Sequence, residues 1–337
     1  MKKRFISLIC IAVLFSISLS ACSSSQKNVK VGVSFGVGNA TRWQHEKKYM
    51  EQQAKKLGVD IEVRLNQTDK PKTQKQDCIE MIDSGIDVLI LTPRDVNKVK
   101  EILDYAKEKN VPVINYARVV LGEKVDLFVG YDSSRIGQRL GQYLSEMVYK
   151  GDYIILQGDP GDNNAQLLYQ GAMRYISPIK DNINIILDAA VKDWSPDEAK
   201  KMVIEAVRAN GNNIDAILAP NDKIAGACTE ALKELGISKH VFITGMDAEI
   251  DAAKRIIAGT QDVTIYMDLN ELACTAVNEA YHMAKNETVN VNAEFDNQSE
   301  GTIKANLITG QLVTKENLDK ILIDSGYFTK EEVYGKE

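Results

Sequence analysis

Arg42 with Trp43, Arg118, Asp162 with Asn164, Trp194, Asn221 and Asp247 share one property: each follows a short run rich in aliphatic and β-branched residues. Arg42 comes shortly after Val31–Phe35, and Arg118 after the run ending at Tyr116. Asp162 and Asn164 follow Leu156-Gln157-Gly158, and Trp194 follows Ile186-Leu187-Asp188. Asn221 follows Leu218-Ala219-Pro220, and Asp247 follows Ile243-Thr244-Gly245. Carboxylates and side-chain amides take hydroxyl groups in pairs, and arginine donates from a fixed fork. Indole faces cover patches of C–H. This set suits a small neutral polyol.

Other chemistries fit less well. Gly36-Val37-Gly38 begins like a dinucleotide fingerprint, but Thr41-Arg42-Trp43 stands where a third glycine is required. The second strand ends near Leu65-Asn66-Gln67, with Asp69 only beyond it, so the acid that a dinucleotide ribose needs is missing there. No cofactor is expected. Asp162, Asp222 and Asp247 could supply a glycosidase pair, but no Ser–His or Cys–His constellation accompanies them. His45, His240 and His282 are scattered, which gives no support to a zinc site. The net charge of −6 disfavours nucleic acid as the main partner.

Plainer duties stand beside these readings. Arg42 can be a solvated first-turn cation, although the helix dipole disfavours one there. Trp194 before Ser195-Pro196 can be a hydrophobic staple ahead of a capped helix. Asp222 and Asp247 can be helix N-caps, Asp222 the more so.

The elements that must position these residues alternate along the chain. Strands are expected at 29–35, 60–65, 88–92, 111–116 and 127–130, then at 153–158, 183–190, 216–220, 241–245 and 263–266. Helices are expected at 42–57, 72–84, 95–109, 165–176, 196–210, 223–235, 248–258 and 270–285. A strand-like 301–307 and a helical 315–324 close the pattern. Continuous apolar strands alternating with amphipathic helices mean parallel sheets covered on both faces. Ten strands exceed one comfortable sheet, so the fold class is α/β with two doubly wound domains. Ligands of such sheets bind beyond the carboxyl ends of the strands, where the polar residues and both tryptophans recur.

The first stretch stands apart. Lys2-Lys3-Arg4 followed by an apolar run from Phe5 to Leu19 reads as a secretory signal. Leu19-Ser20-Ala21-Cys22 resembles a bacterial lipobox, which makes Cys22 a lipidation site and residues 23–28 a polar tether. The mature protein is then expected outside the cytoplasmic membrane, held to it by lipid. Cys78, Cys228 and Cys274 sit in apolar helical patterns and read as buried small hydrophobes.

With those residues placed, the chain resembles the periplasmic sugar-binding proteins of type I fold, and most closely the D-xylose-binding proteins of ABC transport systems. The resemblance spans about 29–337. Arg42-Trp43-Gln44, Tyr116-Ala117-Arg118, Gly161–Ala165, Asp193–Pro196, Pro220–Asp222, Gly245–Ala248 and Ala258–Gln261 carry it in order. It implies a flytrap in which two α/β domains, joined by three crossing segments, close over one monosaccharide. It implies that Arg42, Arg118, Asp162, Asn164, Asn221 and Asp247 hydrogen-bond the sugar between Trp43 and Trp194. Crossings are then expected near 130–132, 261–265 and 301–305, dividing the chain into 29–131 plus 264–302 and 132–263 plus 303–337.

The implied ligand is D-xylose, with ribose or galactose as alternatives, bound without conversion. The implied partner is an ABC permease or the external domain of a sensor histidine kinase. In one departure, the family usually has a lysine after the tyrosine of the late strand, whereas Met267 follows Tyr266 and reads as pocket packing. In another, Gly36–Asn39 stands where acidic residues are common.

Overall fold

Parallel strands form where the sequence is continuously apolar. In the computed structural model, which describes residues 28–36, 41–66, 73–95 and 98–336, β1 (Lys30–Phe35) and β3 (Val88–Thr92) lie side by side, Val31 opposite Val88. Both are buried almost throughout, as strands covered on two faces must be. β2 (Asp60–Leu65), β4 (Val113–Tyr116) and β5 (Leu127–Tyr131) extend this sheet in parallel. Late strands β11 (Ala293–Phe295) and β12 (Ile303–Ile308) complete it, giving the order β11-β12-β5-β4-β3-β1-β2. Helices α1 (Thr41–Leu57), α2 (Gln74–Asp83), α3 (Lys100–Glu108) and α9 (Leu269–Ala284) belong to this layer system.

The second sheet has the order β7-β6-β8-β9, built from β6 (Gly151–Leu156), β7 (Ile183–Ala189), β8 (Ala216–Leu218) and β9 (Phe242–Ile243). Around it lie α4 (Ser133–Met147), α5 (Asn163–Ile176), α6 (Pro196–Ala209), α7 (Asp222–Glu234) and α8 (Ile250–Ala258). β10 (Val263–Tyr266) pairs antiparallel with β13 (Gln311–Thr314). It also continues the β9 edge through backbone bonds from Ile265 N to Gly245 O (3.2 Å) and from Asp247 N to Ile265 O (3.0 Å).

The α/β class with parallel sheets is as expected, and two details differ. Helix α4 was not anticipated. Its Gly137 and Gly141 weaken a helical pattern, but they are where α5 packs: a Cβ on Gly137 would fall 1.9 Å from the Leu168 carbonyl oxygen. The later crossings also fall further along the chain than 261–265 and 301–305. β10 stays with the second sheet, and β12 joins β5 in the first, with Ala305 opposite Phe128. The chain therefore passes between sheets at 131–133, 267–268 and 309–310. An apolar strand carries no mark of which sheet it will join, and the division implied by the resemblance put 264–266 and 303–308 with the other sheet.

Helix starts are fixed by side chains. The Asp132 carboxylate accepts from Arg135 N (2.9 Å) at α4, and Asp162 from Asn164 N (2.8 Å) at α5. Ser195 accepts from Glu198 N (3.3 Å) at α6, with Pro196 at the first helical position. Cys78 and Cys228 are buried free thiols, and burial pushes each up to about 12. Cys274 is half-buried. Cys22 lies outside the described residues, as do 37–39 of the divergent stretch. Among the described residues no helix is long and apolar enough to cross a membrane.

Candidate functional site

The carboxyl ends of both sheets open on one cavity of about 290 Å³. On the side of the first sheet, β1 delivers Phe35 to the base of α1. Trp43 is buried on it with ring centroids 5.2 Å apart. Phe35 meets Tyr116 edge-on at 6.1 Å, so the Trp43 ring rests on a stack of aromatics. The Arg42 guanidinium lies 4.7 Å from the centre of the Trp43 ring. Its Nε and Nη2 both donate to Glu46 Oε1, at 3.1 and 3.0 Å, from one turn further along α1. Burial works against the Arg42 charge, but Glu46, Tyr131 and Tyr116 outweigh it and hold the guanidinium above its ordinary pKa. Glu46 is completely buried. Burial raises its carboxyl above the usual range even though Arg42 opposes the shift.

Arg118 stands at the rim. Ala117 takes a left-handed conformation (φ 61°), and Arg118 N donates to Tyr116 O at 2.7 Å. Buried Asn115 fixes the turn by donating to Arg118 O (2.7 Å) and accepting from Val120 N (2.8 Å). The Arg118 side chain is exposed.

On the opposite side, Asp162 caps α5, and Asn164 in the first turn accepts from Ser133 Oγ at 3.2 Å. Trp194 ends a short turn in which Asp193 (φ 54°) and Trp194 (φ 52°) are both left-handed, a costly conformation for such side chains. Gly158 makes room for the indole: a Cβ there would lie 2.6 Å from the ring. Trp194 therefore precedes a capped helix, as the staple alternative required, and also lines the cavity.

Asp247 follows β9 with φ 103°, its backbone N–H tied to Ile265 O. Burial pushes its carboxyl up to about 7, Arg42 pulling the other way and Glu249 adding to the rise. It caps no helix, since α8 begins after Glu249.

Eight of the nine expected residues line this one cavity: Arg42, Trp43, Arg118, Asp162, Asn164, Trp194, Asp247 and Met267. Asn221 does not. It is the N-cap of α7, its Oδ1 accepting from Ile224 N at 2.9 Å. That cap had been assigned to Asp222, whose carboxylate is instead buried and accepts from Gln261 Nε2 (2.8 Å), Thr264 Oγ1 (2.8 Å) and Glu249 N (2.9 Å). It braces the β9 loop against β10.

The lining also includes Ala117, Tyr131, Ser133, Ile136, Leu168 and Met246, none of which was singled out from the sequence. Tyr131 ends a strand and Ser133 opens α4, so recognition of that helix would have put both at a strand–helix junction. Outward, the cavity meets a wider cleft of about 620 Å³. Arg94 and Arg118 stand on one side of it, and Asp159, Asp162 and Asp193 on the other.

Two parallel sheets whose carboxyl ends face one polar and aromatic cavity have the architecture of a periplasmic binding protein, and the chain belongs to that family. The periplasmic binding protein domain family matches residues 31–288. The chain is 30% identical over 321 residues to the D-xylose-binding periplasmic protein of Haemophilus influenzae, covering 95% of this chain and 96% of that one. Its similarity to the D-xylose-binding periplasmic protein of Escherichia coli is also 30%, covering 94% and 96%. Among solved structures, an ABC transporter solute-binding protein from Clostridium phytofermentans with bound β-D-glucose superposes with a TM-score of 0.80 at 28% identity. It covers 90% of this chain and 99% of that one.

Proposed function

We propose that this protein is an extracytoplasmic receptor that closes over one monosaccharide, D-xylose, and hands it unchanged to an ABC permease. The observation that carries this reading is the convergence in one cavity of Arg42 and Trp43 from one sheet with Asp162, Asn164, Trp194 and Asp247 from the other. Two indoles offer faces for the C–H surfaces of a pyranose. The guanidinium, amide and carboxylates offer partners for its hydroxyls. The likeness to two D-xylose-binding proteins supports the choice of sugar, and the likeness to an ABC transporter solute-binding protein supports the choice of partner.

Binding without conversion fits the separate duties of the three aspartates. Asp162 caps α5 at the cavity wall, Asp222 is bonded to Gln261, Thr264 and Glu249 outside the lining, and Asp247 lines the cavity without capping a helix. Lipidation at Cys22 fits an anchored receptor. Cys22→Ala should then release the protein into the medium.

Thermal shift and calorimetric titration with D-xylose, D-ribose, D-galactose and D-glucose test the assignment. D-Xylose is expected to raise the melting temperature of the wild type, and Asp247→Ala or Trp194→Ala to remove the effect. Losing a partner of a buried polar group costs about 1–3 kcal/mol. A wild type indifferent to xylose and stabilised by another of these sugars would overturn xylose as the ligand.

A further inference from the structure

We propose that the Tyr131 hydroxyl reads one hydroxyl group of the bound sugar, which makes Tyr131 a specificity-determining residue. This inference rests on the sugar-binding reading above. Tyr131 is the last residue of β5, opposite Ile308 in the first sheet, and only 8% of it is exposed. Its side chain lines the cavity, yet its hydroxyl has no hydrogen-bond partner among the described residues. Buried hydroxyls are almost always paired, and an unpaired one is costly.

The surroundings show where the pairing must come from. Ile136, Leu168, Met246 and Met267 make up an apolar part of the same lining, and none of them carries a strong hydrogen-bonding group. Arg42 and Glu46 act on the Tyr131 hydroxyl through their charge without bonding to it, and the remainder of this part of the lining is apolar. Tyr116 makes a useful contrast. Its hydroxyl is also buried and has no hydrogen-bond partner among the described residues, but the residue does not line the cavity. Both tyrosines bear on Arg42, but only Tyr131 borders the space the ligand enters. A neutral phenol can both donate and accept, so it can meet a sugar hydroxyl in either sense.

Calorimetric titration of wild type and Tyr131→Phe with D-xylose and the series of monodeoxy-D-xyloses tests the proposal. The variant is expected to bind xylose about tenfold more weakly or worse. Its sugar-free melting temperature is expected to match the wild type, because the hydroxyl makes no hydrogen bond to any of the described residues. The loss should vanish for the one deoxy sugar that lacks the hydroxyl Tyr131 meets. Equal xylose affinity in the two proteins, or the same loss across the whole deoxy series, would overturn the role of Tyr131 and leave the sugar reading intact. A wild type that binds neither D-xylose nor any other sugar of the screen above would overturn the sugar reading and this inference with it. One that binds another of those sugars, with Tyr131→Phe binding it equally well, would overturn the role of Tyr131.

Discussion

Glu46 holds Arg42 by one oxygen, with Nε and Nη2 of the guanidinium converging on Oε1 at 3.1 and 3.0 Å. The grip comes from within α1, so the guanidinium is oriented before any ligand arrives. It is also pressed to the Trp43 ring. The fork is thus aimed by a side chain with no exposure of its own.

Glu46→Gln keeps the shape and removes the charge. Hydrogen bonds to charged groups are worth about 1.5–3 kcal/mol, so xylose affinity should fall by roughly tenfold or more. Calorimetry on a variant with an unchanged circular dichroism spectrum checks this. Unaltered affinity would show that Arg42 needs no such orientation.

Asp247 makes binding depend on pH. Its carboxyl is raised from 3.8 to about 7 by burial. Sugar hydroxyls donate to the ionised form, so a proton must leave before binding. Affinity should therefore rise as pH climbs toward 7 and level off above it, with a slope below 7 approaching tenfold per pH unit. Titrations between pH 5.5 and 8.5 show this, and Asp247→Asn should flatten the profile. In the sugar-free protein the sign reverses. The folded state keeps a proton that the unfolded chain has shed, so this group lowers stability as pH rises from about 4 to about 7.

The two tryptophans should fail differently. Trp43 is 5% exposed and packed on Phe35, so Trp43→Ala should cost about 3–5 kcal/mol of folding stability. Trp194 is only partly buried, so Trp194→Ala should leave the melting temperature nearer to the wild type and remove the xylose-induced shift. Chemical denaturation separates the two effects. Equal destabilisation by both changes would count against Trp194 as a ligand face.

Gly137→Ala tests the packing of α4. Alanine is the better helix former by about 1 kcal/mol. Its Cβ would nevertheless fall 1.9 Å from Leu168 O, where backbone must move. Overpacking of this kind costs about 1–3 kcal/mol or more, so the net effect should be a lower melting temperature. A stabilised variant would show that α4 and α5 can separate freely.

Much of this architecture was legible in the sequence. β2, β3 and β10 fall where apolar runs placed them. The rule that ligands bind beyond strand carboxyl ends picked out Arg42, Trp43, Asp162, Asn164, Trp194 and Asp247, which the fold brings to one cavity. What escaped has physical causes. Asn221 caps α7, and a cap and a ligand contact ask for the same residue type at the same strand–helix junction, so residue type does not separate the two duties. Tyr131 went unnoticed because a tyrosine ending a buried strand looks like core until its hydroxyl is found without a partner among the described residues.

The seating of β12 between β5 and β11 has a consequence for the birth of the protein. Ribosomes and translocation machinery deliver a chain from its amino end, so residues 127–131 emerge long before residues 303–308, which must lie against them. Until then the outer edge of β5 is a bare row of backbone donors and acceptors, a template for unwanted pairing. The first half to be synthesised is thus among the last to be finished, whereas strands β6 to β9 come from one uninterrupted stretch. A chain truncated before Ile303 would carry every residue expected to touch the sugar and still lack the strand that seals its larger sheet.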